Sequence, residues 1–185
     1  MIVLIGESAS GKTTLANKFI EKHPEYHRIV TYTTRKPRVG EVNKVDYNFV
    51  SEKKFLKLMK EGFFAETTYF NGFYYGTCKK DINDYKVIIL DPQGLVSFKR
   101  LNIDNIYAVF LEATEEIRIK RMRERGDSEE AIAKRVSHDR QKFSPEKIDY
   151  IDEYINSNVM SVSFLAGEVF KLYSNFLKKD KNLNI

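Results

Sequence analysis

Short apolar runs alternate with stretches of helical spacing along most of this chain. Ile2 to Ile5, Val87 to Leu90 and Tyr107 to Leu111 are continuous apolar runs of strand length, the pattern of strands buried on both faces of a sheet. Apolar residues at helical spacing follow each run. The alternation predicts an α/β fold in which a parallel sheet is flanked by helices.

A different pattern occupies the stretch from about residue 34 to residue 79. It begins with a basic, polar segment in which Pro37 and Gly40 predict a surface loop, and it continues with strand signals around a short helix that Ser51 can cap. We expect a small strand-rich insertion here, with a hairpin turn at Asn71-Gly72. The strand signals are Tyr47 to Val50, Phe63 to Thr68 and Phe73 to Tyr75.

The segment Gly6-Glu7-Ser8-Ala9-Ser10-Gly11-Lys12-Thr13 matches the complete phosphate-binding pattern G-x-x-x-x-G-K-S/T, between a predicted strand and a predicted helix. Backbone N–H groups of such a P-loop converge on phosphate oxygens, and the helix N-terminus adds its dipole. Lys12 is expected to reach the β- and γ-phosphates, and Thr13 to offer a hydroxyl to Mg²⁺. A chance glycine turn is the alternative interpretation. The residues expected to bind ATP here are Gly6, Ser8, Ala9, Ser10, Gly11, Lys12, Thr13 and Thr14.

Asp91 directly follows the apolar run Val87 to Leu90. Open α/β sheets bind ligands at the carboxyl ends of their strands, so Asp91 is a candidate to hold Mg²⁺ through water or to contact a second substrate. The alternative is a helix N-cap in front of Pro92, which needs no ligand. The sequence leaves both interpretations open.

Composition adds broad limits. The chain has 185 residues, 42% of them hydrophobic, and a formal net charge of +5, which fits one domain and a ligand that carries phosphate. Cys78 is the only cysteine, so an internal disulfide and a cysteine metal cluster are excluded. The chain starts without a basic leader, and no run of about 18 apolar residues occurs. We therefore expect a cytoplasmic protein with no membrane partner.

Further segments resemble the guanylate kinase family. Thr33 to Glu41 (TTRKPRVGE) and Val45 to Val50 (VDYNFV) resemble its GMP-binding segment, and Gly72 to Thr77 (GFYYGT) resembles its second acceptor signature. The resemblance continues in register from the P-loop to about residue 140. It implies a P-loop NTPase-type sheet as core (about 1–33, 80–115 and 145–185), a small NMP-binding insertion (about 34–79) and a helical lid (about 116–144).

The resemblance also implies a GMP site. Arginine forks and hydroxyls suit the acceptor phosphate, and a carboxylate such as Glu66 suits the N1–H and N2 amino donors of guanine. Thr31, where the family usually has serine, and Thr77 can each donate to the guanine O6. The residues expected to bind GMP are Thr31, Arg35, Arg38, Tyr47, Glu66, Tyr75, Thr77 and Asp91.

The basic stretch from Arg118 to Arg140 resembles the family's lid, whose arginines close over the transferring phosphates and exclude water. The alternative is an ordinary charged helix surface, because Glu129 and Glu130 alternate with Lys134 and Arg135. The residues expected to act in phosphoryl transfer are Lys12, Arg38, Arg121, Arg125 and Arg135.

Three departures mark the chain as a divergent member. Glu7 stands where the family usually has proline, the strand before Asp91 lacks a second acid, and Ser157 stands where aspartate is usual. Asn156, just before it, corresponds to the family's asparagine on the adenine side of the ATP site.

These patterns lead us to expect Mg²⁺-assisted transfer of a phosphoryl group from ATP to GMP or dGMP, with these nucleotides as the partners and no nucleic acid. One alternative is a kinase of another nucleotide or of a small phosphorylated metabolite. Another is a non-catalytic guanylate kinase-like module that binds nucleotide or protein, although the intact P-loop and acceptor arginines favour an enzyme. The sequence does not define the oligomeric state.

Overall fold

The structure is a computed structural model that describes residues 1–70, 72–101, 106–144, 148–158 and 160–183. Its strands are β1 Ile2–Ile5, β2 His27–Arg28, β3 Tyr32–Thr33, β4 Asn48–Phe49, β5 Phe64–Phe70, β6 Phe73–Cys78, β7 Lys86–Ile89, β8 Tyr107–Glu112 and β9 Glu153–Asn156. Its α-helices are α1 Lys12–Lys22, α2 Glu52–Lys60, α3 Pro92–Lys99, α4 Glu115–Glu124, α5 Glu129–Lys142 and α6 Val162–Leu183.

The core is a parallel sheet with strand order β2-β7-β1-β8-β9. Side chains alternate between its faces, and β1 shows the result. Ile2 and Leu4 pack in a buried cluster with residues of α1 and α6, whereas Val3 and Ile5 pack in a second cluster with residues of α3. The predicted α/β fold with a parallel sheet flanked by helices is confirmed.

A second sheet, ordered β4-β3-β6-β5, mixes parallel and antiparallel pairs. Its strands β4, β5 and β6 lie in the predicted insertion, and β3 directly precedes it. The stretch from Arg28 to Thr33 is divided between the two sheets. Arg28 pairs with β7 of the core, while Thr33 pairs with β6. Of the predicted hairpin turn, Asn71 lies outside the described residues, and Gly72 has a φ of +83°, which suits a tight turn.

Two helices begin at serine caps, the predicted one at Ser51 and another at Ser128. The hydroxyl of Ser51 accepts the N–H of Lys54, and that of Ser128 accepts the N–H of Ala131, so each satisfies one free donor of a first helical turn. Gly126, at a φ of +85°, ends the run that α4 begins. Pro145 follows α5 in the sequence and cannot continue a helix, but it lies outside the described residues.

The helices α4 and α5 form a pair above the P-loop. Met122 of α4 and Ile132 and Val136 of α5 make a small buried cluster, against which Ala9 of the P-loop packs. The cluster therefore fixes both charged helices over the end of β1. Within the described part of the chain, no helix combines the length and the apolar composition that crossing a bilayer requires.

Gly6 turns the chain from β1 into the P-loop and has a φ of +145°. A Cβ placed on it would lie 2.5 Å from the carbonyl oxygen of Leu111 in β8 and 2.8 Å from the hydroxyl oxygen of Ser10. Both distances are below van der Waals contact, and one of the atoms belongs to the backbone. Only glycine lets the P-loop pack this closely on the neighbouring strand.

We expect Gly6→Ala to lower the free energy of unfolding by more than about 3 kcal/mol, because backbone strain and a clash with β8 add. Gly126→Ala is the matched control, since Gly126 also has a positive φ of +85° but nothing lies within 4 Å of its added Cβ. It should cost only about 1 kcal/mol. Urea unfolding of the three proteins measures both values, and equal losses would contradict the clash.

Candidate active site

Two cavities share Lys12 as a wall residue, one of about 800 Å³ and one of about 420 Å³. Both have the size of a small-molecule site. The predicted site residues on the larger cavity are Gly6, Ser8, Lys12, Thr31, Arg35, Arg38, Tyr47, Glu66, Tyr75, Asp91 and Arg135. Those on the smaller cavity are Ala9, Ser10, Gly11, Lys12, Thr13, Thr14, Arg121 and Arg125. Two predicted residues, Thr77 and Asn156, line neither.

Lys12 lies where the P-loop enters α1. Its ammonium donates to the carbonyl oxygens of Gly6 and Glu7, both at 2.7 Å, and to the hydroxyl of Ser10 at 3.4 Å. Burial lowers the pKa of Lys12 to about 8, although the carboxylates of Asp139 and Glu7 oppose the shift. Lys12 is thus a desolvated cation held by loop oxygens, and a phosphate between the cavities could replace them.

Arg35 is fixed on the wall of the larger cavity. Its two terminal nitrogens donate to the two carboxylate oxygens of Glu41 at 2.9 and 2.8 Å, and its guanidinium lies 5.3 Å from the centre of the Tyr47 ring. The hydrogen bonds raise the pKa of Arg35 and lower the pKa of Glu41. Such a bidentate pair leaves the arginine with a set orientation.

Glu66 is a buried carboxylate on the same wall, with 9% of its surface exposed. Its Oε1 accepts the hydroxyl of Thr77 at 2.8 Å, and its Oε2 accepts that of Thr68 at 3.4 Å. Burial raises the pKa of Glu66 to about 7, because desolvation outweighs these hydrogen bonds. Thr77 is fully buried behind Glu66, so in this structure its hydroxyl orients the carboxylate instead of facing the cavity.

Arg38 and Arg135 reach the larger cavity from opposite sides, one from the insertion and one from α5. The pKa of Arg135 is lowered, first by burial and then by the positive charge of Arg38. Asp127 lies 3.8 Å from Arg135 and offsets part of this repulsion. An anion bound between the two arginines would relieve the rest.

The structure bears on both interpretations of Asp91. Its carboxylate caps α3 by accepting the N–H of Gly94 at 2.6 Å, and it also forms an ion pair with Lys142 on the larger cavity. Thr13, the other predicted magnesium ligand, is exposed on the smaller cavity. Asp91 is therefore a cap whose charge is engaged, while the hydroxyl of Thr13 is an accessible oxygen of the kind Mg²⁺ prefers. The described residues include no cluster of three or more His, Cys, Asp or Glu suited to a metal.

Arg121, on the smaller cavity, connects the P-loop with Ser157. Its Nη1 donates to the carbonyls of Ala9 at 3.2 Å and Ser10 at 3.3 Å, and its Nη2 donates to the carbonyl of Ser157 at 2.6 Å. Arg125, on the same cavity, is paired with Asp127. The predicted lid arginines thus divide between the cavities, with Arg121 and Arg125 on the smaller one and Arg135 on the larger one.

The structure identifies residues that sequence reasoning missed. Ser157 is buried, and its hydroxyl donates to the carbonyls of Ser10 at 2.8 Å and Glu112 at 3.0 Å. Asn156 beside it is exposed, and its side-chain oxygen accepts the N–H of Asn158 at 2.9 Å. The only signal for Ser157 was its place in a motif where aspartate is usual. Asp139, which contacts Ser8, carried no signal within the charged pattern of α5.

A P-loop whose lysine joins two cavities, one of them lined by arginines from an insertion and from a helix pair, defines a P-loop nucleotide-binding protein with room for two ligands. The family model described as Guanylate kinase matches residues 1–160. The chain therefore belongs to the guanylate kinase family.

Individual relatives agree. Over 162 residues the chain is 38% identical to a guanylate kinase of Trichormus variabilis, covering 83% of this chain and 78% of the relative. Over 144 residues it is 39% identical to a guanylate kinase of Helicobacter pylori, covering 74% and 69%. The crystal structure of guanylate kinase from Anaplasma phagocytophilum superposes with a TM-score of 0.63 at 24% identity, covering 97% of this chain and 85% of that chain, which shows a common fold.

The burial of Glu66 predicts a pH dependence of stability. Because the pKa of Glu66 in the fold, about 7, lies above the unfolded value near 4.3, the folded state binds more protons between these values, and its stability falls as pH rises through that window. In the parent chain this fall in the free energy of unfolding should be on the order of 3 kcal/mol between pH 4.5 and 7, and Glu66→Gln should remove it.

Urea unfolding of the parent chain and of Glu66→Gln at each pH measures the difference, in which all other titrating groups cancel. Glu61→Gln is the control, because Glu61 is an exposed carboxylate nearby in the chain. A difference between parent and Glu66→Gln that stays constant across the window would show that the Glu66 pKa is ordinary.

Proposed function

We propose that this chain transfers the γ-phosphoryl group of ATP to GMP or dGMP, giving ADP and GDP or dGDP. The observation that carries the proposal is Glu66, a buried carboxylate on a cavity wall that also holds Lys12 and three arginines. A carboxylate in that environment suits the paired N1–H and N2 amino donors of guanine. A cytoplasmic location without nucleic-acid or membrane partners remains a prediction from the sequence. The sequence does not define the oligomeric state.

The proposal divides the chain by task. Residues of about 1–33, 80–115 and 145–185 form the core, those of about 34–79 the NMP-binding insertion and those of about 116–144 the lid. Three strands of the second sheet, β4, β5 and β6, lie in the insertion, and the α4–α5 pair lies in the lid. Both observations support this division.

ATP is proposed to occupy the smaller cavity and to extend its phosphates along the P-loop. The N–H groups from Ala9 to Thr14 would hold the α- and β-phosphates at the start of α1. Thr13 would hold Mg²⁺ by its hydroxyl, and the bound cation would neutralise part of the phosphate charge. Asn156, on the exposed side of Ser157, is assigned to the adenine end by resemblance alone.

GMP is proposed to occupy the larger cavity. Its phosphate would lie among Arg35, Arg38, Tyr47 and Tyr75, where the stacked and paired Arg35 supports a fixed site. The guanine would face Glu66. Thr31, on the same wall, is the hydroxyl proposed for O6, and Thr77 would act on the base through Glu66.

Phosphoryl transfer would then proceed between the cavities, across Lys12. Transfer of this kind needs little covalent chemistry from the protein, so positioning and cationic charge supply most of the rate. The ammonium of Lys12 would stay in contact with the transferred phosphoryl group. Arg38 and Arg135 would stabilise the charge of this group from the acceptor side, and Arg121 and Arg125 would stabilise it from the donor side. Asp91 would stay near the acceptor phosphate through its ion pair with Lys142.

The first test is an ADP-release assay with ATP and Mg²⁺ that compares GMP, dGMP, AMP, CMP and UMP. We expect turnover with GMP or dGMP, and a loss of at least about a hundredfold in kcat for Lys12→Ala, because the transferred charge loses its cation. Lys18→Ala, on the same helix but paired with Glu21 at the surface, is the control. ATP binding without turnover on any acceptor would favour a non-catalytic module, and turnover on another acceptor a different kinase.

A second test concerns the base. Glu66→Gln keeps the size of the side chain but replaces one oxygen by an amide donor that opposes the donors of guanine. We expect kcat/KM for GMP to fall by about a hundredfold or more, while kcat/KM for AMP stays the same or rises. An unchanged ratio of the two values would remove Glu66 from base recognition.

A further inference from the structure

A buried ion pair connects the P-loop with both lid helices. Oδ2 of Asp139, on α5, accepts the backbone N–H of Ser8 at 2.8 Å and Nη1 of Arg118, on α4, at 2.9 Å. Oδ1 of Asp139 accepts the hydroxyl of Ser8 at 3.2 Å. The side chains of Arg118 and Asp139 are 3% and 6% exposed, so the carboxylate has exchanged water for three protein donors.

Arg118 extends the connection along the loop. It lies 3.5 Å from the carboxylate of Glu7 and 3.5 Å from the carbonyl oxygen of Ser8. Glu7 is one of the positions at which this chain departs from the usual P-loop of the family it resembles. Two consecutive P-loop residues are thus bound to one charge pair of the lid, and such a pair holds its shape because either ion alone would be buried without a counter-charge.

The spacing on α5 makes the contact relevant to the reaction. Arg135 precedes Asp139 by four residues and Lys142 follows it by three, so the three side chains share one face of the helix. Asp139 is bound at the end of β1 through Ser8, and Lys142 is bound at the end of β7 through Asp91. Arg135 projects from the same face into the larger cavity.

We propose that Asp139 is a positioning residue for phosphoryl transfer: by binding Ser8 and Arg118 it seats α5 on the P-loop and so sets the place of Arg135. This inference rests on the proposed function, because it gives Arg135 a task in transfer. Asp139 itself touches no reacting atom. The rival role is an internal anion that occupies the P-loop until ATP displaces it. That role predicts a higher kcat or a lower KM for ATP when Asp139 is removed.

The kinetic test uses Asp139→Ala. Misplacing Arg135 should lower kcat by about ten- to a hundredfold, with the KM values for ATP and GMP within about threefold of the parent. In the Arg135→Ala background, Asp139→Ala should cost no more than about twofold further, since residues that act through each other are not additive. Asp139→Asn, which keeps an acceptor for Ser8, should recover part of the loss.

Arg140→Ala is the matched control, because Arg140 joins the same two helices through Glu115 on the solvent side, at 2.6 Å. It should leave kcat unchanged. If Asp139→Ala folds poorly, Arg118→Met with Asp139→Ala removes both buried charges and should show the same kcat loss in a stable protein. Fully additive losses with Arg135→Ala, or a higher kcat or a lower KM for ATP in Asp139→Ala, would overturn the proposal.

A measurement without turnover separates this inference from the proposed function. Hydrogen exchange of the Ser8 amide, followed by NMR in the nucleotide-free protein, should be about tenfold faster or more in Asp139→Ala, and unchanged in Arg140→Ala. Protection of Ser8 equal to that of the parent would refute the seating of α5 whether or not the chain phosphorylates GMP. A parent chain without turnover but with the expected exchange would overturn only the role in transfer.

Discussion

The close approach of the P-loop to β8 is the contact on which the rest of the site depends. Gly6 lies so near the carbonyl of Leu111 that no side chain fits between them. The loop that follows is therefore held against the sheet, with its N–H groups gathered at the start of α1. Ser157 reinforces this arrangement, because its hydroxyl bonds the carbonyl of Ser10 and that of Glu112 at the end of β8. A phosphate bound at this loop would therefore be positioned by the neighbouring strands β1 and β8 of the core sheet.

Cations converge around this loop, and four of them are engaged by oxygens of the protein. Lys12 is held by loop carbonyls, Arg35 by Glu41, Arg125 by Asp127 and Lys142 by Asp91. Burying so many charges without counter-charges would be costly, so the internal oxygens keep the fold stable while no nucleotide is bound. A phosphate that replaced these partners would exchange one set of charge-assisted hydrogen bonds for another.

Much of this could be predicted from sequence, since the relevant signals are local. A run such as Ile2 to Ile5 followed by a glycine motif specifies strand, loop and helix within a few residues, and Ser51 and Ser128 act on the turns that follow them. What could not be predicted depends on distant partners. Asp139 is 131 residues from Ser8, and nothing in the alternating charges of α5 distinguishes the one buried acid from its exposed neighbours. The division of Arg28 to Thr33 between two sheets likewise follows from pairing with β7 and β6, which local propensity does not encode.

The departure at Glu7, one of the three that the resemblance implies, is balanced by neighbouring charges. Glu7 brings a carboxylate into the P-loop, and Arg118 lies close enough to balance it. Arg118 is in turn a buried cation that requires Asp139, and Asp139 finds two further donors on Ser8. Each of these charges therefore lies beside one of opposite sign, and the contacts run from the P-loop through α4 to α5. The acid at position 7 is thus part of a structural link between the P-loop and the two helices that cover it.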